Sequence, residues 1–281
     1  LSNERLLDTV NKLQKLPAYP RDLCRRVSEL GCERLGYEQI VSAIATENRF
    51  AKKIAQIADS VFFASEGKTC AFPDVASQLG VDSVKSFSVL LYCFSELAGP
   101  ESGARNASLL SHAMIVGSFA RQLSLAELQG ADVAQQSFSA GLLHDFGKLI
   151  LSANFPSEYE KVISIVSLHG EYEHEAEFEV FGVSHAEVGA KLLQRWGFSQ
   201  PIVEAVLFHH DPEKSFASSF DSLGAVHIAN HFFYAQDDPE EAACAEKLSW
   251  DFLEKLDIEK QLEDWEVLCQ VTIEDGLLDD L

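Results

Sequence analysis

Gly141-Leu142-Leu143-His144-Asp145-Phe146-Gly147-Lys148 closes a run, residues 131–146, in which apolar side chains recur at helical spacing. The stretch sets an imidazole beside a carboxylate near the end of an apolar helix, which Gly147 is expected to stop. Adjacent residues do not share one helix face, yet at a helix terminus His144 and Asp145 can both reach one ion. Lys148 is placed to meet an anionic oxygen there. Outward from this stretch, nearly every long segment keeps the same period. Upstream, Leu6, Val10, Leu13 and Leu16 form a stripe broken at Pro17-Ala18-Tyr19-Pro20. Further helices are predicted through Leu23, Val27 and Leu30, and over Tyr37–Ala45, Arg49–Phe63, Phe72–Leu79, Val84–Leu97 and 107–123. Downstream the same pattern predicts helices over 157–169, 185–196, 201–210 and 220–235. No Asn-Gly or Asp-Gly turn lies between alternating runs, so strand signals are scarce. The fold class read from this is all-α.

Gly99-Pro100-Glu101-Ser102-Gly103 is the clearest linker, and no period of 20 to 50 residues repeats, which argues against a solenoid. The expected organisation is an N-terminal helical lobe over 1–103, a second helical lobe over 104–236 and an acidic helical tail over 237–281. In that tail 16 Asp and Glu stand against 3 Lys, a net −13 of the chain's −22. Leu248, Phe252, Leu256, Leu262, Trp265, Val267 and Leu268 nevertheless recur at roughly helical spacing. That pattern describes acidic amphipathic helices lying on the body or on a partner, followed by a frayed Asp-rich end.

Composition narrows the function classes. With 281 residues, 47% hydrophobic and 23% charged, wholesale disorder is out. A net charge of −22 disfavours general nucleic-acid binding. The strongest apolar run, Phe87 to Phe94, is far too short to span a membrane, and Glu4, Arg5 and Asp8 interrupt any secretory signal. A cytoplasmic protein is expected. Cysteines at 24, 32, 70, 93, 244 and 269 show no C-x-x-C spacing, so reduced, mostly buried thiols are expected rather than disulfides or a thiolate zinc site.

All nine histidines lie beyond the Gly99–Gly103 linker. His112 sits on an otherwise apolar helix. Ser184 and Glu187 have capping-box spacing, which puts His185 in a first helical turn. His209 and His210 close the helix begun at Pro201, ended by Asp211-Pro212. His227, Asn230, His231 and Tyr234 are spaced three and four apart on one helix; His227 and His231 are expected in the core, although either could replace a lost ligand. His169 and His174, beside Gly170 and among glutamates, are expected at the surface. Imidazoles and Asp145 at helix ends make either a shared polar pocket or a site for Zn, Fe or Mn, where one carboxylate can bridge two ions. Such an ion acts as a Lewis acid in phosphate-ester hydrolysis, with a lysine stabilising the developing charge.

Taken together, His112, His144-Asp145 and the polar residue at Asn230 resemble the H…HD…D signature of HD-domain metal-dependent phosphohydrolases. More specifically, the chain resembles the HDOD family, the HD-related output domains of bacterial signalling proteins. The matching stretches are Leu16–Pro20, Ala51–Phe63, Gly141–Leu149, Phe181–Leu193, Trp196 and His209-His210, which together cover roughly residues 10 to 235. The resemblance implies a helical lobe followed by an HD-like helical bundle, and a regulatory or scaffolding role among signalling proteins. It implies one or two divalent transition-metal ions (Fe, Mn or Zn) held by His112, His144, Asp145, His185, His209 and His210, as in the dinuclear HD-GYP cyclic di-GMP phosphodiesterases. Lys148 matches those enzymes' motif lysine and, with Asp145, would bind phosphate if the site is active. Two departures stand out. Asn230, a weaker neutral ligand, occupies the position of the last ligand Asp, and Asp211-Pro212-Glu213-Lys214 follows the histidine pair without a Gly-Tyr-Pro segment. Two readings follow: a signalling module acting by protein–protein interaction, and a metal-dependent phosphohydrolase acting on a nucleotide or another phosphate ester.

Overall fold

The computed structural model describes residues 3–16, 82–90, 93, 94, 97, 103–235 and 247–274. Among them every regular element is helical, so the all-α expectation holds. The helices are α1 (Glu4–Lys12), α2 (Gly103–Ala126), α3 (Ala131–Leu143), α4 (Phe146–Asn154), α5 (Pro156–His169), α6 (Glu173–Phe181), α7 (His185–Arg195), α8 (Gln200–Phe208), α9 (Ser222–Ala235), α10 (Trp250–Leu256) and α11 (Leu262–Glu274). Residues 82–90 are also helical. The helices predicted between Leu23 and Leu79 lie outside the described residues.

The central element is α3, whose residues Ser137 to Leu143 are all buried. A helix segment buried on all sides must be surrounded, and the C-terminal half of α3 is: α2, α8 and α9 pack on it. Its crossing with α2 is close because two glycines meet: a Cβ added to Gly141 would stand 2.6 Å from the Cα of Gly117. That approach brings the His112 turn of α2 against the His144 end of α3. On the other side α7 packs on α4 and α8, and α5 and α6 form an antiparallel pair.

Two boundaries differ from the sequence expectation. The helix predicted over 131–146 ends at Leu143, and Asp145 leaves helical geometry (φ −102°, ψ 0°) before α4 begins at Phe146. Gly147 therefore does not stop a helix; it is the second residue of one. Its lack of a side chain serves contact, since a Cβ there would collide with the carbonyl oxygen of His185. The stripe through Leu13 and Leu16 also outruns its helix: α1 ends at Lys12, and Asn154 Oδ1 accepts the next free amides, those of Gln14 and Lys15, at 2.9 and 2.7 Å.

The described N-terminal residues join the same core. Leu6 and Val10 of α1, and Val84, Phe87 and Leu90, are buried with the apolar residues of α2 to α9. Lys85 donates from Nζ to the carbonyl of Gly197 at 2.9 Å and lies over the Phe198 ring. The acidic tail is docked as far as it is described: Phe252, Leu253, Trp265 and Cys269 are buried, and the rings of Trp265 and Phe220 lie 5.3 Å apart. Burying such aromatic side chains stabilises by about 1.5–3 kcal/mol each. The Asp-rich end, 275–281, lies outside the described residues. Cys93 and Cys269 are buried and form no disulfide, as expected of them. No described helix is long and apolar enough to cross a membrane.

Candidate metal centre

Most of the candidate side chains sit where a helix begins or ends. His144 is the C-cap of α3 and Asp145 the N-cap of α4. His185 opens α7 behind a complete Ser184/Glu187 capping box, as the spacing predicted. His209 is the C-cap of α8 and is followed by His210. His112 projects from the body of α2. Chain direction changes at all of these termini, which lets residues scattered over a hundred positions converge.

They converge on Asp145. Its Oδ2 lies 2.8 Å from Lys148 Nζ, 3.4 Å from His112 Nε2 and 3.5 Å from His144 Nε2. Its Oδ1 lies 3.0 Å from His185 Nε2 and 3.8 Å from His209 Nε2. The donor atoms fall into two groups sharing this carboxylate, Asp145 with His185, His209 and His210, and Asp145 with His112 and His144; within each group all atoms lie within 4.8 Å of one another. Asp145, His112, His144, His185 and His209 are buried, and His210 is half-buried.

The hydrogen bonds on the far side of the rings decide what these nitrogens can do. His144 Nδ1 is 2.7 Å from the carbonyl oxygen of Gly141, and His209 Nδ1 is 2.8 Å from that of Val206. A carbonyl oxygen only accepts, so both Nδ1 atoms carry the proton, and the neutral rings turn bare Nε2 lone pairs inward. His185 Nδ1 donates likewise to Glu177 Oε2 at 2.7 Å. Inside the pocket nitrogen faces nitrogen: His112 Nε2 to His144 Nε2 at 3.0 Å, and His210 Nε2 to His185 Nε2 at 3.1 Å. His209 Nε2 and Asp145 Oδ1 are buried with no hydrogen-bond partner. Lys148 meets Oδ2 with one positive charge; the imidazole nitrogens crowded at Oδ1 call for a second, either a proton or a metal cation. Imidazole nitrogens with one carboxylate form a donor set suited to Zn, Fe or Mn, so the residues present fit such an ion.

The titration behaviour reflects the same crowding. Burial pushes His144 down to about 4, and burial with neighbouring imidazoles holds His209 and His210 well below their ordinary range. Burial also opposes charge on His185, but Glu177 and Asp145 outweigh it and carry His185 up to about 9. Without a metal, the required charge therefore resides on His185. Burial alone would raise Asp145; Lys148 and the histidines instead hold it well below the usual carboxylate range.

Several participants escaped the sequence reading. Glu177 is fully buried and accepts both the backbone N–H of His185 at 2.6 Å and its ring N–H, while Tyr159 donates its hydroxyl to Oε1 at 3.0 Å. Glu173 Oε1 lies 2.8 Å from the same hydroxyl, whose single proton the two carboxylates share, and Glu173 pairs with Lys148 at 3.0 Å. His174, expected at the surface, is half-buried and stacks on His210 with centroids 4.1 Å apart, because α6 folds its first turn over the site. The run Glu171 to Glu179 reads as a solvated acidic face and carries no other signal. His169 is exposed, as expected. His227 is in the core, its ring bonded to the backbone carbonyl of His209, and neither it nor His231 belongs to either donor group. Asn230 is buried with Oδ1 lacking a hydrogen-bond partner.

Compared with known proteins, residues 16–212 match the HDOD domain family. The chain belongs to the HDOD domain family. The HDOD match contains His112, His144, Asp145, Lys148, His185, His209 and His210, and it ends before Asn230, His227 and the tail. A protein of Treponema pallidum (strain Nichols) without assigned function is 23% identical over 209 residues, 73% of this chain; the chain spans only 39% of that relative's length. Among solved structures, an HDOD domain protein of unknown function from Geobacter sulfurreducens superposes with a TM-score of 0.66 at 17% identity, covering 95% of this chain and 97% of that one. A Shewanella amazonensis SB2B protein, provisionally named a phosphohydrolase, superposes with a TM-score of 0.70 at 16% identity, covering 98% and 97%. At such identities the likeness is one of fold.

Two openings reach the HDOD site from different sides. One, about 170 Å³, is bounded by Ser108, His112, Asp145, Lys148, Glu173 and Tyr234. The other, about 430 Å³, lies beyond His210, with Tyr172, His174 and Glu213 facing Leu248, Ser249 and Trp250 of the tail.

Proposed function

We propose that the chain is a regulatory module of bacterial signal transduction built around a divalent-metal centre, and that it acts by binding other proteins. The division into lobes over 1–103 and 104–236 with a tail over 237–281 belongs to this reading, with the centre in the second lobe. Asp145, His185, His209 and His210 hold one ion. His112 and His144 share Asp145 toward a second, more weakly, because Asn230 offers an amide where a carboxylate would complete the set. The observation that carries the proposal is the outward fixing of the Nδ1 protons on His144, His185 and His209, which leaves inward lone pairs around a buried carboxylate. Glu177 on His185 is the outer carboxylate that orients a metal-binding imidazole and raises its basicity. A divalent ion bound there supplies Lewis acidity.

A second reading, a metal-dependent phosphohydrolase acting on a nucleotide or other phosphate ester, draws on the opening over Asp145. Lys148 and Tyr234 line it beside the carboxylate, where an anionic oxygen would meet the ammonium group. Against it, Asp145 and Glu173 already neutralise Lys148. Turnover separates the two. The signalling reading expects no metal-dependent hydrolysis of aryl phosphates or a nucleotide panel, and partner binding that survives His144→Ala. Metal-dependent turnover abolished by Asp145→Ala would establish the enzyme instead.

A further inference from the structure

The fully buried His227 joins the metal centre to the C-terminal segment. Its Nδ1 lies 2.7 Å from the carbonyl oxygen of His209, and its Nε2 lies 3.0 Å from the backbone N–H of Ser249. The carbonyl can only accept and the amide can only donate, so the ring is held in one neutral tautomer with both bonds made together. The carbonyl it grips belongs to the peptide between His209 and His210, both members of one donor group. A second tie runs alongside, from Ser249 Oγ to Glu213 Oε2 at 3.1 Å. Between the ties lies the larger cavity, with His210, Asp211 and Glu213 on one wall and Leu248, Ser249 and Trp250 on the other. Phe252 then packs its ring edge-on against His227, with centroids 6.2 Å apart. These tail residues lie beyond the family-matched stretch 16–212.

We propose that metal occupancy and the docking of residues 247–256 form one coupled equilibrium, transmitted through His227. The inference rests on the metal-centre reading above and adds its consequence: an ion that fixes the His209–His210 peptide also fixes the seat of α10, and release of the ion loosens it. Coupling of this kind is reciprocal, so a docked segment tightens the ion by the same factor by which the ion tightens the segment. The segment beyond α10 stays anchored through the buried Trp265 and Cys269, so the opening is local. The chain would then report metal status by presenting or withdrawing the apolar face of this segment, Leu248, Phe252 and Leu253.

The test uses the full chain, stripped with a chelator and reloaded with Mn²⁺, and follows hydrogen exchange of residues 247–256 together with Mn²⁺ affinity. Wild-type protein is expected to exchange about tenfold more slowly there with Mn²⁺ than without. Ser249→Pro removes only the amide donor and the hydroxyl, at a position whose φ of −83° is close to that of proline. It is expected to weaken Mn²⁺ about tenfold or more, the usual size of an outer-shell loss, and to abolish the metal-dependent protection. Ser249→Ala keeps the amide and should behave as wild type. His227→Asn replaces the donor to the His209 carbonyl but cannot reach Ser249; like Ser249→Pro it should weaken Mn²⁺ about tenfold and lose the protection. If Mn²⁺ binds wild-type protein yet exchange over 247–256 is unchanged, or if Ser249→Pro binds Mn²⁺ as tightly as wild type, the coupling is wrong while the metal centre stands. If neither Mn²⁺, Fe²⁺ nor Zn²⁺ binds the wild-type protein, both fail.

Discussion

Glu177 holds His185 by two bonds at once, accepting from its backbone N–H at 2.6 Å and from its ring at 2.7 Å. The pair fixes where α7 begins and which nitrogen of His185 faces Asp145. A buried carboxylate spent on one imidazole is costly unless that imidazole needs its basicity raised, which a metal ligand does.

Glu177→Gln keeps the shape but removes the charge. Metal affinity should fall by about 10- to 100-fold, the range found for outer-shell partners of ligating histidines. Without metal, the His185 titration observed by NMR should drop from about 9 toward its ordinary range.

Proton release gives a second check. In metal-free protein His185 is charged at pH 7.5, its value standing near 9, so a cation must displace that proton to use Nε2. Calorimetric titrations in buffers of different ionisation enthalpy should show close to one proton released per ion at pH 7.5, falling away above pH 9.

Stability should follow pH in opposite directions for two sets of histidines. His185, raised in the fold, contributes stability present below its unfolded value of about 6.5 and lost as pH rises through 9. His144, lowered to about 4, contributes stability present above 6.5 and lost as pH falls toward 4; His209 and His210, also lowered, act in the same sense. Outnumbering His185, they should make the metal-free protein lose melting temperature steadily from pH 6.5 to 4.

The sequence and the structure agree most where local signals were strong. Helical periodicity gave all-α, and the Ser184/Glu187 spacing gave the start of α7 to the residue. The convergence of His112, His144, Asp145, His185, His209 and His210 was legible through a resemblance rather than through spacing, since nothing local says that four helix termini and the middle of α2 face one point. Gly147 was misread because a glycine near a helix end ordinarily stops it; here the glycine makes room for the His185 carbonyl across an interface that sequence does not reveal. Glu173, His174 and Glu177 were passed over because a run dense in glutamate ordinarily faces water. Burial came from α6 folding against α5 and α7, a tertiary fact.

Gly147→Ala tests that close approach. A methyl group there would meet the His185 carbonyl, so α4 and α7 must part or strain, at an expected cost of about 1–3 kcal/mol in urea denaturation. Asp145 and His185 ride on those two helices, so metal affinity should fall with stability. Gly170→Ala, at the exposed end of α5, should leave affinity unchanged.

Asn230→Asp probes the weaker group. If Asn230 stands at the missing ligand position, the added carboxylate should raise the metal count or tighten binding at His112 and His144; unchanged stoichiometry would remove Asn230 from the site.

The most direct measurement is anomalous diffraction from crystals grown of protein purified without chelator, recorded on either side of the Mn, Fe and Zn absorption edges. The account predicts a peak bonded to Asp145 and to the Nε2 atoms of His185, His209 and His210, and its loss in Asp145→Ala. A wild-type map with no anomalous peak among those atoms after soaking in all three metals, or a peak that persists in Asp145→Ala, would contradict it.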